Sequence, residues 1–257
     1  MLRIENLSKS YKKGSVRAVD CLNLDVSAGE IFGFLGPNGA GKTTTIKMIV
    51  GLLSPDSGSI TVDGKSVSQD PVAAKSRMGF VPDNPDLFEK LTGVEYLNFM
   101  ADVYGVPSAI RKERAAELLR MFELEGAVRD IIASYSHGMR QKLALSGALL
   151  SRPKLLVLDE PMVGLDPKSA HLFKDLINKH CEDGGTVFFS THVLEVAERL
   201  CHRVGIISHG KLIALGTLDE LRKGARGTAS GTSGEIGVPG EESLEELFLQ
   251  LTEGSHE

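Results

Sequence analysis

Residues 36–44 read GPNGAGKTT, and the fold turns on how that stretch is read. Gly36, Pro37, Asn38, Gly39, Ala40, Gly41, Lys42, Thr43 and Thr44 fit the pattern GxxxxGK[ST]. The glycines free the backbone to curl, so that successive N–H groups point inward at phosphate oxygens. Lys42 brings a compact positive charge to the outer phosphates, and the Thr43 hydroxyl suits Mg²⁺. A glycine-rich surface turn is the plain alternative. Against it stand the apolar run IFGFL before the loop and TTIKMIV after it, which give strand, loop and helix in order.

LLVLDE at 155–160 is the expected partner of that loop: an apolar strand ending in two carboxylates. Neighbours on a strand point to opposite faces, but where the chain turns both can reach one phosphate site. Asp159 is expected to hold Mg²⁺ through water, and Glu160 to polarise an attacking water. Without the glycine loop they read as two solvated charges. With it they make a nucleoside triphosphatase, whose catalysis is positioning and charge stabilisation. His192 follows a third apolar strand, TVFFS, and is expected to open another helix, HVLEVAERL. A lone histidine is commonly packing or surface, but at this strand end it can bond a γ-phosphate. His137, His171, His180, His202, His209 and His256 show no metal-ligand spacing.

Working outward, LRIENL, VDCLNLDV and SITVDG are short strands near the N-terminus, and RVGIISHGKLIALG at 203–216 is a hairpin. The result is an α/β core with added antiparallel strands. Residues 85–150 form a helical insertion. Thr92 and Glu95 make a capping box, with Val94, Leu97, Met100, Ala101 and Tyr104 at helical spacing behind it. Ala115, Leu118, Leu119 and Phe122 mark a second helix, and a third starts near Ser136. Residues 224–240 are rich in Gly, Ser and Thr and are expected to be a flexible linker. Residues 241–257 should hold a short helix with Leu244, Leu247, Phe248 and Leu251 on one face.

The formal net charge of -5 argues against nucleic acid as the main partner, and RKER at 111–114 reads as a solvated helix face. Cys21, Cys181 and Cys201 are unpaired by spacing, which fits a reducing cytoplasm and no zinc site. The N-terminus lacks an apolar stretch of signal-peptide length, and no segment reaches about 18 uninterrupted apolar residues. Any membrane span is therefore expected from another polypeptide.

With these motifs in order, residues 1 to 223 resemble the ATP-binding cassette (ABC) family. GPNGAGKTT matches its Walker A loop and LLVLDE its Walker B strand. YSHGM at 135–139 is similar to the signature motif, usually LSGGQ. GLDP at 164–167 matches the loop after Walker B, and STH at 190–192 the switch histidine. The resemblance implies a P-loop NTPase (RecA-like) core with an antiparallel β subdomain and a helical subdomain. It implies ATP and Mg²⁺ as ligands and Tyr11 as the residue stacked on adenine. It also implies a head-to-tail dimer with a second nucleotide-binding subunit, in which Ser136 and Gly138 serve ATP on the partner and Asp166 couples the two. A Ser136 that only caps its helix is the simpler reading. The YSxGMxQ form resembles drug, haem and lipid exporters.

Two departures stand out. Tyr, His and Met replace Leu, Gly and Gln in the signature, while Ser136 and Gly138 remain. Asp83, in VPDNPDLF, occupies the place of a glutamine that ligates the metal. It either faces the phosphates and Mg²⁺ or starts a solvent turn. The expected role is an ATPase subunit on the cytoplasmic face of the membrane, powering a separate membrane-spanning subunit that docks on residues 83–104. The alternative is a soluble ABC ATPase of ribosomes, DNA repair or cofactor assembly.

Overall fold

The computed structural model describes residues 1–11, 14–162 and 166–228, with side chains through residue 223. Near the N-terminus, β1 (Leu2–Tyr11) and β2 (Val16–Val26) pair antiparallel, with Leu2 opposite Val26 and Tyr11 opposite Val16. β4 (Ser57–Val62) adds to the other side of β1, and β5 (Lys65–Ser66) completes a sheet ordered β2-β1-β4-β5.

The second sheet is built from β3 (Ile31–Leu35), β6 (Met78–Val81), β7 (Leu155–Asp159), β8 (Thr186–Thr191), β9 (Arg203–Ser208) and β10 (Lys211–Gly216). Its order is β10-β9-β3-β8-β7-β6, parallel except for the β9–β10 hairpin. β3, β7 and β8 are buried along their length because both faces are covered, whereas β10 at the edge is partly exposed. The two-residue alternation divides them. Phe32, Phe34, Val157 and Phe188 enter a core shared with the first sheet and α1 (Lys42–Ile49). Ile31, Leu156, Leu158, Val187 and Phe189 enter another, shared with α6 (Pro167–Glu182). The Phe32 and Phe188 rings stack with centroids 5.7 Å apart.

After α2 (Pro71–Lys75), the helical insertion leaves β6 and returns to β7, two neighbouring strands at the sheet edge. It contains α3 (Gly93–Val103), α4 (Ser108–Met121) and α5 (His137–Leu150). The capping box forms as expected: Glu95 N–H donates to Thr92 Oγ1 at 3.2 Å, and Thr92 N–H to Glu95 Oε2 at 2.8 Å. The buried face of α3 is Tyr96, Leu97 and Ala101, whereas Val94 is exposed.

The RKER stretch differs from expectation. Lys112 and Glu113 face solvent, but Arg111 and Arg114 turn inward. Arg111 pairs with Asp102 at 2.7 Å and donates to Val106 O, and Arg114 donates to Leu150 O at the end of α5. Terminal carbonyls of helices need such donors. Two ion pairs, Glu117–Lys179 and Glu123–Lys168, join α4 and the turn after it to α6.

α7 (Leu194–Leu200) and α8 (Leu218–Thr228) follow. α8 takes the first residues of the stretch expected as linker, so the helix ends later than composition implied. The rest of 224–240, and the short helix expected in 241–257, lie outside the described residues.

Candidate functional site

The glycine loop joins β3 to α1, and steric fit requires glycine at its end. Gly41 caps α1 with φ 112, and a Cβ there would lie 2.3 Å from the Ala18 carbonyl oxygen. With no side chain capping α1, its first N–H groups remain available to an anion. Lys42 is buried, and its Nζ donates to Gly36 O at 2.6 Å and Pro37 O at 3.2 Å.

Three strand ends converge here, because β8 lies between β3 and β7 and pairs with both in parallel register. Asp159 ends β7, nearly fully buried, and accepts from Ser190 Oγ at 2.6 Å. Glu160 follows at φ 48, a left-handed conformation that costs a residue with a side chain about 1–2 kcal/mol. That kink keeps its carboxylate on the same edge. Glu160 Oε1 lies 3.4 Å from Lys42 Nζ, and Oε2 lies 3.1 Å from His192 Nδ1. His192 follows β8 in an open position. It does not open the next helix as the sequence implied, since Val193 caps α7.

These groups border a cleft of about 780 Å³ whose lining includes Asn38, Gly39, Thr43, Lys47, Asp83 and Glu160. Such a volume suits a nucleotide. Pro37, Gly41, Lys42, Thr44 and Asp159 also face it, whereas Gly36 and Ala40 do not. Gly36 presents its carbonyl to Lys42, and Ala40 is buried in the core. Tyr11 is exposed at the end of β1 and does not line the cleft; Ala18, Leu52 and Phe80 do. Sequence reading had no signal for these three, nor for Lys47, because they are joined to the loop only by the fold.

Asp83 lies at the cleft. Its carboxyl is held above the usual carboxylate range, first by partial burial and then by the charges of Asp159 and Glu160, against the pull of His137 and His192. Asp159 and Glu160 line the same cleft, and Asp83 itself is exposed.

The signature residues lie elsewhere. Ser136 caps α5, accepting from Met139 N–H at 3.3 Å, and Ser136 and Gly138 do not line this cleft. Tyr135 fits in place of leucine because its ring is buried while its hydroxyl donates to Ala127 O at 2.7 Å. Arg140 was not singled out in the sequence. It reaches Glu89 at 2.8 Å and donates to Tyr135 O and Ala133 O, tying the signature to the segment after Asp83. Asp166 caps α6 through Ser169 N–H at 3.0 Å, and Lys142 of α5 lies 3.9 Å from it.

A family model for ABC transporters matches residues 19–163. The chain belongs to the ABC transporter family. It is 41% identical to the linearmycin resistance ATP-binding protein LnrL of Bacillus subtilis, across 86% of this chain and 70% of that protein. It is 34% identical to the ABC-type transporter ATP-binding protein EcsA of the same organism, across 98% and 96%. With the daunorubicin/doxorubicin resistance ATP-binding protein DrrA of Streptomyces peucetius the identity is 42%, across 86% and 66%. A solved ATP-binding subunit of an ABC transporter matches with TM-score 0.87 and 34% identity, over 98% of this chain and 99% of that one. A dimeric ATP-binding cassette bound to ADP and Pi after hydrolysis matches with TM-score 0.75 and 29% identity, over 85% and 99%.

The P-loop α/β fold and the role of ATP-binding subunit follow from this membership, and ATP hydrolysis is general to the family. The relatives are transporter proteins, so the reading as a ribosomal, repair or assembly ATPase is not favoured. No described helix is long and apolar enough to cross a membrane.

Proposed function

We propose that the chain binds and hydrolyses Mg²⁺-ATP as one of two cassettes that close head to tail, and that this cycle drives a separate integral-membrane subunit in export at the cytoplasmic face. The observation that carries the hydrolysis is the Glu160 carboxylate between Lys42 and His192. Held there, Glu160 accepts a proton from the attacking water, His192 contacts the γ-phosphate, and Lys42 balances the charge on the β/γ-phosphates. The Thr43 hydroxyl and the carboxylates of Asp159 and Asp83 form an all-oxygen donor set on one cleft, which fits a hard dication. Bound there, Mg²⁺ would neutralise phosphate charge.

Ser136, Gly138 and the start of α5 point this half-site at a partner's nucleotide, and the dimeric relative supports that arrangement. Asp166, held at the start of α6 beside Lys142, would couple the two halves. Tyr11 would stack on adenine. Export is supported by resistance and Nod factor export proteins among the relatives. Docking of a membrane subunit on residues 83–104 is supported by Phe88 and Phe99, exposed and packed edge to face at 5.2 Å.

Steady-state phosphate release, with and without Mg²⁺, tests the hydrolysis. Affinity capture from solubilised membranes tests the partner, with a multi-spanning protein as the expected catch. A chain that binds ATP but never turns over, alone or with that partner, would refute the reading.

A further inference from the structure

Asp159 and Ser190 stand opposite each other on the parallel strands β7 and β8. The Ser190 side chain is fully buried, and its hydroxyl is used twice. Its O–H donates to Asp159 Oδ1 at 2.6 Å, and its oxygen accepts the Glu160 N–H at 3.1 Å. We propose that Ser190 is a positioning residue for hydrolysis, one hydroxyl fixing both members of the Asp159–Glu160 pair. The inference rests on the hydrolytic role of Glu160 proposed above.

The directions of the two bonds leave little freedom. An ionised carboxylate only accepts and a backbone N–H only donates, so a single hydroxyl proton and one lone pair satisfy both. The first bond engages one oxygen of Asp159 and leaves the other for the cleft that Asp159 lines. The second secures the amide of a residue held at φ 48. Were Glu160 to continue the strand instead, its side chain would point to the face opposite that of Asp159. The kink brings the Glu160 carboxylate to Lys42 and His192, and Ser190 holds its amide in place. β8 and the residue after it thus grip the glutamate from both ends, Ser190 at the backbone and His192 at the carboxylate.

A group that merely satisfied a buried aspartate would affect only folding or nucleotide binding, whereas a positioning group also affects turnover. In the full-length chain, Ser190→Ala is expected to lower kcat about tenfold with KM for ATP within about twofold of wild type, and to lower the melting midpoint as well, since the Glu160 N–H and an Asp159 oxygen each lose a buried partner. Ser190→Thr keeps the hydroxyl, and Ser190→Val matches its volume without one. Thr is expected to exceed Val in kcat by a similar factor, and this pair decides the matter if the Ala variant does not fold. An active wild type with Ser190→Ala at the same kcat, Thr and Val of equal kcat, or a loss confined to KM would overturn the role of Ser190. A wild type that releases no phosphate would instead end the hydrolytic reading itself.

Discussion

His192 Nδ1 lies 3.1 Å from Glu160 Oε2, while the other oxygen of that carboxylate lies 3.4 Å from Lys42 Nζ. One glutamate thus meets both the group proposed to contact the γ-phosphate and the lysine proposed to balance its charge. Glu160→Gln keeps the shape and loses the base. It is expected to retain ATP affinity by calorimetry, to lose roughly 10²-fold or more in steady-state phosphate release, and to elute as an ATP-dependent dimer. Turnover at the wild-type rate would remove Glu160 from the mechanism.

Asp83 adds a carboxyl where the resembled pattern has an amide. At ~5 Å, one pair of like charges costs about 0.8 kcal/mol in bulk water and about 3 kcal/mol at an effective dielectric of 20. Asp83→Gln should therefore tighten ATP binding in EDTA, change Mg²⁺-ATP binding little, and keep hydrolysis. Equal affinities in EDTA would show that Asp83 does not face the phosphates.

The same carboxyl makes a pH prediction. Its value in the folded protein lies above the ordinary 3.8. The folded state therefore holds this proton more tightly than the unfolded state. Its unfavourable contribution is absent below pH 3.8, where both states are protonated, and complete once the pH passes the raised folded value. Asp83→Asn should thus melt higher than wild type at neutral pH and lose that advantage in acid. Thermal melts across a pH series check this, and identical midpoints throughout would contradict it.

Ser136 has two separable roles. As the cap of α5 its loss should cost about 1 kcal/mol, so Ser136→Ala is expected to lower the melting midpoint modestly. Ser136→Arg should abolish hydrolysis while each subunit still binds ATP, as the proposed action on the partner's nucleotide requires. Mixing Ser136→Arg with Lys42→Ala subunits should restore at most one site per dimer. Lost ATP affinity in monomeric Ser136→Arg would place the motif within its own chain.

Gly41 and Gly39 offer a contrast. A Cβ at Gly39 meets nothing within 4 Å, so Gly39→Ala should incur only the left-handed conformation, about 1–2 kcal/mol. A Cβ at Gly41 would collide with the backbone of β2. Gly41→Ala should therefore displace the loop and abolish ATP binding, as a titration of both variants would reveal.

The loop, the two strand ends and the helical insertion were legible in the sequence because each is a local pattern. The capping box at Thr92 and the apolar runs of β3, β7 and β8 needed no tertiary information. Ser190 was not legible as a partner of Asp159, because only strand order sets those two residues side by side. Arg140 and the inward arginines of α4 were missed for a similar reason: a charged residue on a helix reads as solvated until the carbonyls it serves are in place. The start of α7 was misplaced because His192 is followed by residues that keep helical spacing, while Val193 remains extended.

The helical insertion is suspended from β6 and β7, with β6 at the free edge of the sheet. A body hung there can act as a lever: tilting it strains the margin and leaves the ladders from β7 to β10 intact. It also shares a buried apolar core with β7, β8 and α6, and its exposed ion pairs to α6, among them Glu117–Lys179 and Glu123–Lys168, add only about 0–1 kcal/mol each and weaken with salt. Asp83 lies in the segment by which the insertion leaves β6 and also lines the cleft, so a tilt of the insertion and a change in the cleft would pass through the same few residues.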